Sequence, residues 1–214
     1  MGLKRGNYGE ANRVKTLLIN LLLSDYAPEL IANEVPFLHG QRSADIIAIY
    51  DGLSIGFEIK SKLDNLRTMR AQLTDYQRVF NKVYLVYSAR FAGSPEIEQL
   101  PKTIGLIIIN NDGILKIHRK ATCKINLDKK ALAAALWRKD LESLVANSTY
   151  MEFDDLYKYV VEHSTIKTIQ KQLLKSLKNR YGTGYNLMLQ EKGEKFIIED
   201  LIYITGTKKH RLVF

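Results

Sequence analysis

The sequence predicts an α/β protein, a mixed β-sheet flanked by helices, and three observations predict it. Residues 45–50 and 55–60, DIIAIY and IGFEIK, are β-prone apolar runs separated by Asp51-Gly52, the signal of a tight hairpin turn. After Ser61 the apolar period lengthens to that of a helix, over roughly residues 65–80. Compact apolar runs follow at residues 83–87 and 104–109. Strand, helix, strand with a short return is a crossover and predicts parallel pairing, so hairpin plus crossover makes a mixed sheet.

The individual elements follow in order. Residues 9–23 predict a helix, because Val14, Leu17, Leu18, Leu21 and Leu22 recur at helical spacing and Glu10 sits in its first turn. Glu34-Val35-Pro36-Phe37 reads as a short extended segment, since proline biases its predecessor away from helix. Residues 38–41 form a loop into the Asp45 strand. Asp64 is placed to cap the next helix, whose stripe is Leu66, Met69, Leu73, Tyr76 and Phe80. Residues 114–119 suggest an edge strand. Residues 127–145, with Trp137 inside, then 154–162 and 166–181 predict three helices, the last ended by Gly182 to Gly184. The tail, 196–204, is β-prone and predicts a small hairpin or edge strand. A division near residues 120–126 separates a core, 1–120, from a mainly helical C-terminal region, 121–214, with a small β tail.

The chain has 214 residues, enough for a sizeable core. Its hydrophobic fraction of 46% and charged fraction of 26% are those of a soluble globular protein. The net charge of +9 points to a polyanionic partner, nucleic acid first and an acidic membrane surface second. One cysteine, Cys123, excludes an internal disulfide and a C-x-x-C metal site, and suits a reducing compartment. The apolar run 17–23 is too short to span a bilayer, and no signal-peptide core precedes it, so the cytoplasm is the expected location. His118, His163 and His210 show no metal-ligand spacing.

The hairpin concentrates chemistry. Folding back about Gly52 sets Asp45 across from the Glu58–Lys60 end, and Glu58 and Lys60, two apart, share a face. Two carboxylates and an ammonium in an apolar segment are costly unless paired or bound to a metal.

The string Asp45–x12–Glu58–x–Lys60 resembles the motif of the PD-(D/E)xK nuclease superfamily, with Ala44 where many members have proline. Asn33-Glu34-Val35, Arg42 to Asp45, Phe57 to Ser61, Asp64, Gln72, Tyr76, Pro101 to Gly105 and Leu136-Trp137-Arg138 resemble the sce7726 family of predicted nucleases. That resemblance implies a restriction-endonuclease-like core and a metal-dependent nuclease, acting on DNA ahead of RNA, with Mg²⁺ or Mn²⁺ as cofactor. It implies Asp45 and Glu58 as metal ligands, the Ile59 carbonyl as a third, and Glu34 or Glu10 as an accessory acid. Lys60 would stabilise phosphate charge and Gln72 would orient a water. Arg42, Ser61, Arg67, Arg70 and Tyr76 would face nucleic acid. The family often carries an arginine where Thr68 stands, and Arg67 and Arg70 flank that position.

Plainer readings stand beside these. The triad is also readable as a partly buried ion-pair cluster, Glu10 as a helix-dipole acid, Arg42 as a loop cap and Gln72 as a backbone partner. Trp137 reads as core, Cys123 as an inert filler and His39 as a solvated loop histidine. The lysine stripe Lys167, Lys171, Lys175 and Lys178 is either a solvated helix face or a nucleic-acid backbone contact. Two other function classes remain: a non-catalytic basic nucleic-acid-binding module, and a protein-interaction subunit, an inhibitor or assembly component, working through the C-terminal region. A homodimer is a further possibility.

Overall fold

A computed structural model describes residues 5–206, with side chains from residue 9 onward; His210 lies outside the described residues. The fold is α/β: a mixed six-stranded sheet flanked by helices, with a helical C-terminal extension. The strands run β1 (Leu30–Phe37), β2 (Arg42–Tyr50), β3 (Leu53–Lys60), β4 (Lys82–Ser88), β5 (Gly105–Ile109) and β6 (Leu115–Arg119), in that spatial order. β1, β2 and β3 pair antiparallel, β3, β4 and β5 parallel, and β6 antiparallel to β5.

The Asp51-Gly52 turn behaves as the sequence indicates. Tyr50 pairs with Leu53, and both turn residues have positive φ, 49° and 66°, the two-residue geometry that suits twisted antiparallel strands. The register Ile46↔Phe57 therefore continues to Asp45 opposite Glu58. Pro36 is tolerated because β1 lies at an edge of the sheet.

Helix α1 (Arg5–Asp25) buries Val14, Leu18, Ile19 and Leu22 and packs on β3 and β6. Helix α2 (Met69–Val79) carries the crossover from β3 to β4 and buries Met69, Leu73 and Tyr76. Gly56 lets it sit close: a Cβ there would lie 2.6 Å from the Phe80 ring and 2.8 Å from that of Tyr76. Asp64 does not cap α2. It instead accepts from the Ser61 amide at 2.8 Å and hydroxyl at 2.6 Å, closing the turn that leaves β3. A short helix, α3 (Pro95–Glu98), precedes β5.

The C-terminal region departs from expectation in three places. Residues 127–145 form two short helices, α4 (Lys129–Ala133) and α5 (Arg138–Glu142), because Trp137 is extended and its amide donates to Asp140 Oδ2 at 3.1 Å. After α6 (Phe153–His163), helix α7 (Ile166–Glu191) runs straight through Gly182 and Gly184. Gly184 serves close approach, since a Cβ there would collide with the Tyr203 carbonyl oxygen. The tail is helical, not a hairpin: a 3-10 turn at Ile198–Asp200 leads into α8 (Leu201–Ile204). Among the described residues, Thr205 forms a β-bridge to Asn33.

Candidate functional site

β2, β3 and α2 bring Asp45, Glu58, Lys60, Gln72 and Tyr76 together. Alternation along β3 puts Gly56, Glu58 and Lys60 on the face that meets α2. Lys60 Nζ lies 2.7 Å from Glu58 Oε1 and donates to Gln72 Oε1 at 3.0 Å. The Thr68 hydroxyl donates to the same Gln72 oxygen at 2.9 Å. Asp45 Oδ2 accepts the Ile59 amide at 2.8 Å. The Tyr76 hydroxyl accepts the Asp45 amide at 3.0 Å.

Burial and the neighbouring Glu58 charge push the Asp45 carboxyl up to about 7. Burial, then Glu58 and Asp45, raises the Tyr76 phenol well above its ordinary range. Glu58 is 1% exposed and Lys60 8%, so the pair is sequestered.

The remaining predicted residues scatter. Glu34 takes a left-handed φ of 53° within β1 and pairs with the buried Lys15. Glu10 faces Arg13 at 3.3 Å and Lys62 at 3.7 Å. Arg42 is held by Asp75 at 2.7 Å. Ser61 is buried on Asp64, Tyr76 is fully buried, and Arg67 and Arg70 are exposed. His39 is not a solvated histidine: its ring packs between Phe153 and Tyr157, and burial lowers its pKa. Cys123, expected to fill the interior, is exposed.

This arrangement corrects the expected Mg²⁺ or Mn²⁺ cofactor. Among the described residues, no three His, Cys, Asp or Glu side chains gather to hold an ion. Glu34 and Glu10 are each turned to cations, the Lys60 ammonium pairs with Glu58 Oε1, and Asp45 Oδ2 accepts the Ile59 amide, while Glu58 Oε2 is buried with no hydrogen-bond partner among the described residues.

Two surface features complete the site. Lys167, Lys171 and Lys175 are exposed along one face of α7, and none forms an ion pair among the described residues; Lys178, on the same stripe, pairs with Glu29 at 2.5 Å. A cavity of about 330 Å³ opens beside α2, lined by residues from the end of α2, the start of β4, Thr103 and the segment 122–124. Asn81 joins the two. Its side chain accepts from Gln170 Nε2 of α7 at 2.9 Å, donates to the Lys124 carbonyl at 2.9 Å and lines the cavity. Sequence reasoning missed this cavity because its wall comes from separate stretches with no shared motif. No helix among the described residues is long and apolar enough to cross a membrane.

Comparisons with known proteins replace the nuclease resemblance. The family model for Bacteriophage P4 protein cII matches residues 4–205. Protein cII of Enterobacteria phage P4 is 26% identical over 188 residues, covering 84% of this chain and 70% of that protein. Among solved structures, the SPO1766 protein of unknown function from Silicibacter pomeroyi aligns over 72% of this chain and 99% of its own. It does so at 17% identity and a TM-score of 0.41, too loose a likeness to assign a fold.

The match to the cII family, together with the missing metal cluster, overturns three expectations: membership of the sce7726 or PD-(D/E)xK nucleases, a metal-dependent nuclease function, and an enzyme of that class. The D-x12-E-x-K string is short, and a tight hairpin ending in a buried ion pair produces it for structural reasons. Across residues 4–205, this chain belongs to the Bacteriophage P4 protein cII family.

Proposed function

We propose that this protein is a non-catalytic nucleic-acid-binding module, with DNA as its first expected ligand. One observation carries the reading: Lys167, Lys171 and Lys175 stand exposed on one face of α7 without ion-pair partners among the described residues. Stem-mounted ammonium groups spaced four residues apart on a helix of about 39 Å suit a line of phosphates. The net charge of +9 adds long-range attraction for a polyanion. Arg67 and Arg70, exposed at the entry to α2, are two further cations open to a polyanion. In this reading residues 1–120 are the scaffold and 121–214 carry the main interface. Asp45, Glu58, Lys60, Gln72 and Tyr76 act as a buried polar cluster that fixes β2, β3 and α2 against one another.

The test is fluorescence anisotropy with DNA in EDTA, with a parallel gel for cleavage products. Binding should persist in EDTA, leave the DNA intact, and weaken at least about tenfold in K167E/K171E/K175E. Undiminished binding by that variant sinks the proposal.

A further inference from the structure

The cavity beside α2 is lined mostly by uncharged polar side chains. Its lining includes the amide of Gln77 and the hydroxyls of Thr103 and Thr122, with Phe80, 2% exposed, packed behind them. Gln77 Nε2 donates to Thr103 Oγ1 at 2.8 Å, which aims the side-chain oxygen Oε1 elsewhere; Oε1 accepts no hydrogen bond among the described residues. The Thr103 hydroxyl, accepting that bond, keeps its own proton to donate. Acceptor and donor are thus presented together in a recess of about 330 Å³, within the size range of small-ligand sites.

The charge around it has one sign. Lys124 lines the cavity, its ammonium donating to the Gln77 backbone carbonyl at 3.3 Å, and the exposed Lys102 adjoins Thr103 in sequence. No carboxylate lines it. Asn81 connects it by one hydrogen bond to Gln170, which sits between Lys167 and Lys171 on α7. That bond joins the cavity lining to the helix that carries the lysine stripe.

We infer that the cavity receives an unstacked nucleobase, so that the ligand is a single-stranded nucleic acid whose backbone runs along α7 and past Lys124. The inference rests on the nucleic-acid reading above and adds the strandedness. A paired base has its hydrogen-bonding edge occupied and its faces stacked. A base splayed from a single strand frees that edge for the Gln77 amide and the threonine hydroxyls of the pocket.

The protein supplies its own reporter, because Cys123 is the sole cysteine, is exposed and lines the cavity. The experiment follows iodoacetamide alkylation of Cys123 in the full chain by mass spectrometry, with oligothymidylate or a duplex at equal fractional saturation. The single strand at tenfold over its Kd should slow alkylation about tenfold, and the duplex should leave the rate unchanged. A second measurement fills the cavity with Thr122→Trp, at an exposed position, and compares affinities. Oligothymidylate affinity should fall about tenfold or more while duplex affinity holds. Saturating single-strand binding with an unchanged alkylation rate, or an unaffected T122W, overturns the pocket and leaves the basic-surface reading standing. Failure of both nucleic acids to bind overturns both.

Discussion

Asp45 shows what the hairpin costs. Its carboxyl is drawn from 3.8 up to about 7 by burial and by the Glu58 charge, against the opposing pull of Lys15 and the Ile59 amide. An acid whose folded pKa lies above its unfolded value binds a proton more tightly when folded. Its contribution is therefore complete below about pH 4 and lost as the pH rises through 7. A shift of that size has a ceiling of about 4 kcal/mol, which partial opening to solvent reduces. Urea unfolding between pH 4 and 8 should show the parent losing stability across this window. Asp45→Asn, which keeps an acceptor for the Ile59 amide, should show a flatter profile and exceed the parent at pH 8. Parallel profiles would mean that Asp45 ionises normally in the folded protein. The same residue explains why a metal site is a natural misreading: acids converge here, but Asp45 Oδ2 holds the Ile59 amide and Glu58 Oε1 the Lys60 ammonium.

At the scale of elements, Gly184 decides how the C-terminal region closes on the sheet. Helix α7 presents bare backbone to the Tyr203 carbonyl, and α8 in turn sets Thr205 against Asn33 of β1, hydroxyl to amide at 2.7 Å. Gly184→Ala should therefore displace α8 despite the better helix propensity of alanine, and lower stability by about 1–3 kcal/mol. A stabilising effect in thermal unfolding would show that α8 docks loosely.

The strands were legible beforehand because alternation and the Asp51-Gly52 turn are local signals, and local signals placed Asp45 opposite Glu58. The C-terminal elements were not. The run Ala131–Leu136 is buried throughout, so no period marks where α4 stops, and the break depends on Asp140 reaching back to Trp137. The β-prone tail is bent by tertiary bonds, with Asn20 of α1 gripping both the amide and the carbonyl of Phe196. Gly182 and Gly184 read as a helix stop because nothing in the sequence shows what packs on them. The cavity escaped for a related reason, being assembled from side chains that only folding makes neighbours.

For the whole molecule, the question is whether its charge acts diffusely or through one surface. A net charge of +9 attracts any polyanion, and that attraction alone does not identify an interface. Counterion release separates the two cases, because only lysines seated on phosphates contribute to the slope of log K against log salt, at about 0.7 per contact for a single strand. Replacing Lys167, Lys171 and Lys175 by glutamine should lower that slope by about 2. Replacing Lys116, Lys158 and Lys195, exposed lysines on other elements, removes the same charge and should leave the slope nearly unchanged while slowing association. Equal losses of slope in the two triple variants would show that binding follows total charge, and the α7 surface would then have no special claim. Unequal losses, measured over the same salt range, tie the ligand to Lys167, Lys171 and Lys175 on α7.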